Sequence, residues 1–450
     1  MKPASYPLSQ LLKYLTIVLL QIASVVQAQN SNDYGQTRQE PRENEIEYGV
    51  IHYASTPRTD SIATVIANQQ AKLGFSTNRG YLESLLAALN ISPASQILVF
   101  SRTSLNVTHI TTDTPRSIYF NDNTYVAWTS GSDVMEIASM DPKLGPVFYM
   151  LNQNKDTGAQ FEQQTSQCLR CHDSYSLTGG GVPRFILGSG YVAANGYLVS
   201  HEGWILTDPA TPLKFRWGGW YVTGKHGKQV HLGNIIVNDP ADLNQLENLR
   251  KGNLDNLDGM IKPGAYLTSH SDIIALMVIE HQVFVQNLIT RVGYDIRTAL
   301  SNNPELLIET TDNRVIPPEP VNKLIRDISE PLVRAMLMTD DVPLEDTITG
   351  SSGYAEWFVK QGPTDQQGRS LRELDLQTRL FRYPLSYLVY SAAFDNLPWL
   401  ARQYIYQRFV EVLTGKDTSE DFSKLTANDR SAILAILNDT KPEFASVTAK

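Results

Sequence analysis

The chain has 450 residues, 42% hydrophobic and 19% charged, with a net charge of -9. That length and apolar content can bury a sizeable core, and the charged fraction is that of an ordinary globular protein. No basic run or basic–aromatic pattern is present, so composition excludes an evident nucleic-acid partner.

The N-terminus reads as a targeting segment. Lys2 and Lys13 are its only charges; an apolar run follows, broken at Gln21, and Val26-Gln27-Ala28 offers a small-residue cleavage site. The run is short for a membrane span. Residues 1–28 are expected to be a cleaved signal peptide, which makes the mature protein exported, in a bacterium periplasmic. Membrane association would need that segment to remain uncleaved. Residues 29–45 are polar and read as a flexible linker.

From there the pattern is mixed. Residues 46–55 suggest a first strand, and 61–73 and 81–89 have helical spacing. Short apolar runs at 97–101, 118–120, 125–128, 134–137 and 147–151, parted by Asn, Asp and Gly, predict strands. Residues 161–171 are polar and predict a helix. Runs at 185–187, 191–193 and 197–199 predict further strands, and 216–224, RWGGWYVTG, predicts tight β structure with close backbone approach. From about 270 the period becomes helical: Ser269 or Ser271 caps a helix to about Val292, with Ile274, Met277, His281, Phe284 and Leu288 on one face. Further helices are expected at 321–338, 353–361, 375–382, 385–393, 399–413 and 427–437, with Pro384 as a breaker. The expected fold class is α+β. A strand-rich N-terminal half (46–265) carries a short cysteine–histidine motif, and an all-helical half follows (266–450).

That motif is Cys168-Leu169-Arg170-Cys171-His172, which uses both cysteines of the chain. Cys-x-x-Cys-His is the attachment pattern of c-type haem. Two thiols add to the haem vinyl groups as thioethers, and the following histidine ligates the iron. Cys168, Cys171 and His172 are therefore the expected cofactor residues, with His172 as proximal ligand of a covalent haem c and its iron. Export agrees, because c-type haem is attached outside the cytoplasmic membrane. A disulfide is the competing use of two exported cysteines, and a zinc site would need further ligands. The other imidazole nitrogen of His172 needs an acceptor that fixes its tautomer. Val182-Pro183 stands at the offset where small c-type cytochromes place a carbonyl for that purpose, and residues 165–185 resemble them locally.

The sixth iron position is open to several candidates. His281 lies on the apolar helix face, where it also reads as a core histidine, and His231 alternates with Val230 and Leu232, so it faces away from their side of a strand; both are alternative distal ligands. His226, between Gly224 and Gly227, reads as an exposed turn. Met260 and Met277 read as packing. Arg170, Arg184, Arg216, Trp217 and Trp220 are candidate donors to the haem propionates.

A longer resemblance rests on CLRCH, GVP, RWGGWYVTG-x-HG, H-x-GN, SDIIALMVIEHQ, GRSLRELDL and RLFRYPLSYLVYS, across about residues 80–440. The chain resembles an uncharacterised bacterial family of cytochrome c domain-containing proteins. The resemblance implies one covalent haem and an exported location, and no substrate. It also implies that methionine often stands where this chain has Leu232, so that loop supplies no thioether ligand here. The expected function is electron transfer by an exported monohaem cytochrome c, working with a redox partner protein. The alternatives are a haem enzyme with an open distal site acting on peroxide or a nitrogen oxide, or a haem-based binding or sensing module.

Overall fold

The alternating residues between 116 and 152 build a single antiparallel sheet in the computed structural model, which describes residues 47–48, 51–174, 179–199, 202–239, 243, 247, 250, 252–302 and 319–448. The expected signal peptide and the linker lie outside the described residues. A two-residue pair, β1 (Glu47–Tyr48) and β2 (Ile51–His52), comes first, then helices α1 (Ser61–Asn68) and α2 (Leu82–Ala88). The strands β3 (Ile97–Val99), β4 (Arg116–Phe120), β5 (Thr124–Trp128), β6 (Val134–Asp141), β7 (Gly145–Asn152) and β8 (Phe161–Gln163) follow as neighbours. A later strand, β11 (Trp220–Tyr221), pairs with β3 and completes a seven-stranded sheet of order β11-β3-β4-β5-β6-β7-β8.

Each face of the sheet meets a different partner, because side chains alternate along every strand. Leu98, Tyr119, Val126, Ile137, Tyr149 and Leu151 face α1 and α2, whose Ile62, Val65, Leu82, Leu85 and Leu86 share their core. Ile97, Val99, Phe120, Tyr125 and Met140 face the opposite way. They join the core of a long helix, α4 (Ile273–Asn302), which follows the one-turn helix α3 (Leu169–His172). That same core continues into the C-terminal helices α5 (Glu319–Met336), α6 (Tyr354–Phe358), α7 (Ala392–Asp395), α8 (Trp399–Leu413), α9 (Ala427–Thr440) and α10 (Pro442–Thr448). The strand-rich and helical halves thus share buried side chains. Helix α4 is long and apolar enough to cross a membrane, but 83% of its most apolar 18-residue stretch is buried inside the molecule.

Several local expectations change. Residues 161–171 are not one helix: Phe161–Gln163 ladder onto β7, and only Leu169–His172 is helical. A polar segment with weak helical preference gains paired backbone groups at the sheet edge. Residues 185–187 form no strand; the pairing falls on β9 (Gly188–Gly190) with β10 (Trp204–Leu206). Residues 375–382 are not helical. The Asp375 carboxylate accepts from the amides of Gln377 and Thr378, and Leu374 bridges to Phe381, so the chain turns back. Residues 385–393 shorten to a 3-10 turn at Tyr387–Tyr390 followed by α7.

Helix α4 is capped by Asp272, not by Ser269 or Ser271. Its Oδ1 accepts from the amides of Ile274 and Ala275, while Oδ2 accepts from Ser351 and Ser352. A Cβ on Gly350 would sit 2.8 Å from that Oδ2, so glycine is needed for the loop to approach. The Ser271 hydroxyl instead receives the Leu98 amide and donates to the Tyr221 carbonyl, fixing β3 and β11 to the helix start. The RWGGWYVTG stretch is tight as expected: a Cβ on Gly218 would meet the Gly190 backbone at 2.4 Å.

One buried ion pair ties this stretch to α4. Arg216 Nη1 lies 3.0 Å from Glu280 Oε2, and both side chains are almost fully buried. The remaining Arg216 nitrogens donate to the carbonyls of Thr211 and Pro209. Removing one member of such a pair strands a buried charge, at about 3–5 kcal/mol. Arg216→Ala should lower unfolding stability by that order in urea titration, and Glu280→Ala in the same chain should recover part of the loss. Additive losses would show that the two charges are not coupled.

Candidate haem-attachment site

A single helical turn presents the attachment residues. Cys168 immediately precedes α3, and Cys171 and His172 end it. Positions i, i+3 and i+4 share one side of a helix, so both sulfurs and the imidazole face the same way. Both cysteines are free thiols, Cys171 exposed and Cys168 half-buried. Burial raises the Cys168 thiol to about 12, helped by Glu136.

The imidazole of His172 is held by a backbone loop closed on itself. His172 Nδ1 lies 2.7 Å from the Arg184 carbonyl, and the Arg184 amide donates back to the His172 carbonyl at 2.9 Å. A carbonyl only accepts, so Nδ1 carries the proton and Nε2 presents a bare lone pair. That is the tautomer an iron ligand needs. The expected loop next to Pro183 therefore supplies the acceptor, through the residue that follows the proline. Phe148 of β7 packs on the ring with centroids 4.5 Å apart. Burial lowers the His172 pKa, against the opposing effect of the Arg184 bond.

Helix α4 clamps this loop. The Asn287 amide accepts from the Phe185 amide at 2.8 Å and donates to the Phe185 carbonyl at 2.9 Å. Arg291 donates to the Gly180 carbonyl. The Phe185 ring rests on Tyr125, with centroids 4.7 Å apart. Sequence reading gave no sign of Asn287, because its value depends on where the loop lands.

The candidate distal histidines lie elsewhere. His281 Nε2 is 2.8 Å from Ser386 Oγ, and its ring stands against Phe381 and Tyr387 of the helical half. Glu280 beside it points to Arg216, since consecutive helical residues diverge in direction. His231 packs on Trp217 and on His226. Among the described contacts, neither His231 nor His281 meets the Cys168–His172 turn. His226 is buried rather than in an exposed turn, and its Nδ1 lies 2.6 Å from the Gln229 carbonyl.

The candidate propionate donors are also partly committed. Arg216 is used by Glu280 and two carbonyls, and the Trp220 indole donates to the Gly188 carbonyl. Arg170 is exposed. Arg184 stands among Asp173, Arg291 and Asp295. Arg116, on the same sheet face as Phe148, pairs with Glu136 at 3.1 Å, and its charge opposes protonation of His172. Among the described residues, no group of three or more His, Cys, Asp or Glu side chains forms a bare metal site.

The chain matches no protein-family model, no curated protein and no solved structure.

Two buried histidines give the fold a measurable acid sensitivity. Burial lowers both His281 and His231 to about 3, the latter helped by His226 and Arg250. A histidine in an unfolded chain titrates near 6.5, so on acidification the unfolded state takes up these protons first. Their contribution is complete above about pH 6.5 and falls as pH drops towards 3, by on the order of 1 kcal/mol per pH unit for each. Urea midpoints at pH 7.5, 5.5 and 4.5 measure this decline. His281→Gln should flatten it, and an unchanged slope would remove His281 from the account.

Proposed function

We propose that the protein is an exported c-type cytochrome with one covalent haem, a member of the cytochrome c domain-containing family it resembles, and that it transfers electrons to or from a protein partner. Cys168 and Cys171 would carry the thioethers and His172 would be the proximal ligand. The observation that carries this reading is the His172–Arg184 bond. It fixes the neutral imidazole with Nε2 bare, on the same helical turn as two free thiols.

The residues present fit a haem. When bound, that group supplies a one-electron couple at iron. The chain's part is to hold and tune it. The Arg184 carbonyl keeps the His172 proton on Nδ1 and strengthens the ligand. Phe148 keeps water from one face of the imidazole. Asn287 and Arg291 keep the loop from shifting when charge changes nearby, because the bonds they make are to backbone atoms of that loop. A protein that adds and removes one electron benefits from such a fixed surround, since reorganisation slows transfer.

Expression with c-type haem maturation tests the reading. The denatured, purified chain should stain for haem, and Cys168→Ala together with Cys171→Ala should abolish the stain. Absorption that stays low-spin in both redox states and does not change with CO or cyanide supports the carrier. High-spin ferric iron that binds those ligands would replace it with the enzyme or sensor reading. A wild-type chain without covalent haem would end all three.

A further inference from the structure

The loop from Val222 to Asn234 buries two imidazoles side by side. Asn234 closes the loop: its Oδ1 accepts from the Val222 amide and its Nδ2 donates to the Val222 carbonyl, both at 2.8 Å. Gln229 anchors the outer part, donating to the Asp346 carbonyl at 2.8 Å and accepting from the Glu345 amide at 2.9 Å. Within it His226 and His231 are each 5% exposed, with ring centroids 4.6 Å apart and planes inclined at 70°. Lys225, Gly227 and Lys228 are exposed, so the pair lies just below the surface.

Buried polar nitrogens ordinarily have partners. Here His226 Nε2 and both ring nitrogens of His231 have none among the described residues. His226 Nδ1 gives its proton to the Gln229 carbonyl at 2.6 Å, so its Nε2 is left as a bare lone pair. The His231 ring lies against Gly233, where a Cβ would stand 2.9 Å from Nδ1, so glycine is what admits the ring. The Gly233 backbone favours a proton on Nδ1, which leaves Nε2 bare in His231 as well. Trp217 meets His231 edge to face, with centroids 5.5 Å apart. It does so from a φ of 66°, a left-handed conformation that a bulky residue holds only where its surroundings impose it.

We propose that His226 and His231 bind one divalent transition-metal ion, Cu2+ in preference to others, through their two Nε2 atoms in adjacent coordination positions. The inference does not depend on the haem reading. Neutral imidazole suits copper, zinc and nickel, and a ligating histidine typically turns its other N–H to a backbone carbonyl or carboxylate. An imidazole nitrogen binds such an ion at about 2.0–2.1 Å. Two rings on one ion then have centroids about 4.5 Å apart at a right angle and about 5.2 Å apart at the tetrahedral angle. The separation of 4.6 Å fits the right angle, the tetragonal geometry of Cu2+ rather than the tetrahedron of Zn2+. Among the described residues no third His, Cys, Asp or Glu joins the pair, so the other positions belong to water or a small ligand. Arg250 also faces His231, and Glu247 pairs with it and offsets its charge.

The test titrates the full-length chain, stripped with a chelator, with Cu2+ and separately with Zn2+. Free thiols bind both ions, so the titration is repeated in the chain carrying Cys168→Ala and Cys171→Ala. A site for one Cu2+ should persist in that background and bind Cu2+ more tightly than Zn2+. Its electron paramagnetic resonance spectrum should show coupling to two imidazole nitrogens. His226→Gln or His231→Gln should weaken Cu2+ binding by at least about tenfold and reduce the coupling to one nitrogen. His52→Gln, which changes an exposed histidine, should alter neither. No Cu2+ uptake in the chain lacking both cysteines, or a Cu2+ spectrum that is the same with and without His231, overturns the site and leaves the two imidazoles to water. Tighter binding of Zn2+ overturns the choice of copper. The spectrum of the chain with both histidines in place decides the matter even where circular dichroism shows that a histidine variant fails to fold: coupling to two nitrogens supports the site, and its absence overturns it.

Discussion

The structure depends on a row of buried amides along helix α4. Gln282 and Gln286 are both 1% exposed, among many buried aliphatic side chains of the same helix. Gln282 donates to the Asn121 carbonyl and the Tyr125 hydroxyl and accepts from Tyr387. Gln286 donates to the Asp122 carbonyl and accepts from Tyr125. Asn287, one residue on, holds the Phe185 backbone. A buried amide left unpaired costs about 1–3 kcal/mol, so a slip of the helix along the sheet would break several such bonds together. Apolar contact alone would tolerate many positions. These amides select one, and with it the position of the loop that orients His172.

The same row links the short Cys168–His172 segment to the rest of a large chain. The turn carrying Cys168 and His172 has one helical turn of its own and little core. It is positioned from outside: by β7 through Phe148, by its loop through Arg184, and by α4 through Asn287 and Arg291. Helix α4 is in turn fixed from the C-terminal half. Tyr387 bonds to Gln282, and Arg372 lies over the rings of Phe358 and Tyr387 while pairing with Asp122 in the β4–β5 turn. The helical half therefore reaches the motif through two layers of contacts.

Much of this was legible in the sequence where the signal is local. The two cysteines and the histidine fix their own spacing, and the acceptor carbonyl was expected beside Pro183. Helix α8 matches its expected bounds, and the strands from 116 to 151 follow from alternation and turn residues. What was not legible depends on long-range register. Glu136 reads as one acid in a strand until pairing sets it beside Arg116. Asn287 reads as a polar position near a helix surface. Residues 375–382 carry helical spacing, yet Asp375 captures the following amides and ends the helix before it starts. His281 sits on the apolar face as expected, but the hydroxyl that meets its Nε2 comes from Ser386, far along the chain.

The continuity of the main core has an evolutionary side. Its buried members run from Ile97 in β3 to Phe444 in α10 without a break between the two halves. The Cys168–His172 turn has no private core, since its Leu169 packs into the core beneath the sheet. Recombination near residue 265 would separate the sheet from the helix that closes it and would leave both products with an apolar face in water. The Cys168–His172 segment can change by substitution within this chain, but it cannot be traded as a module.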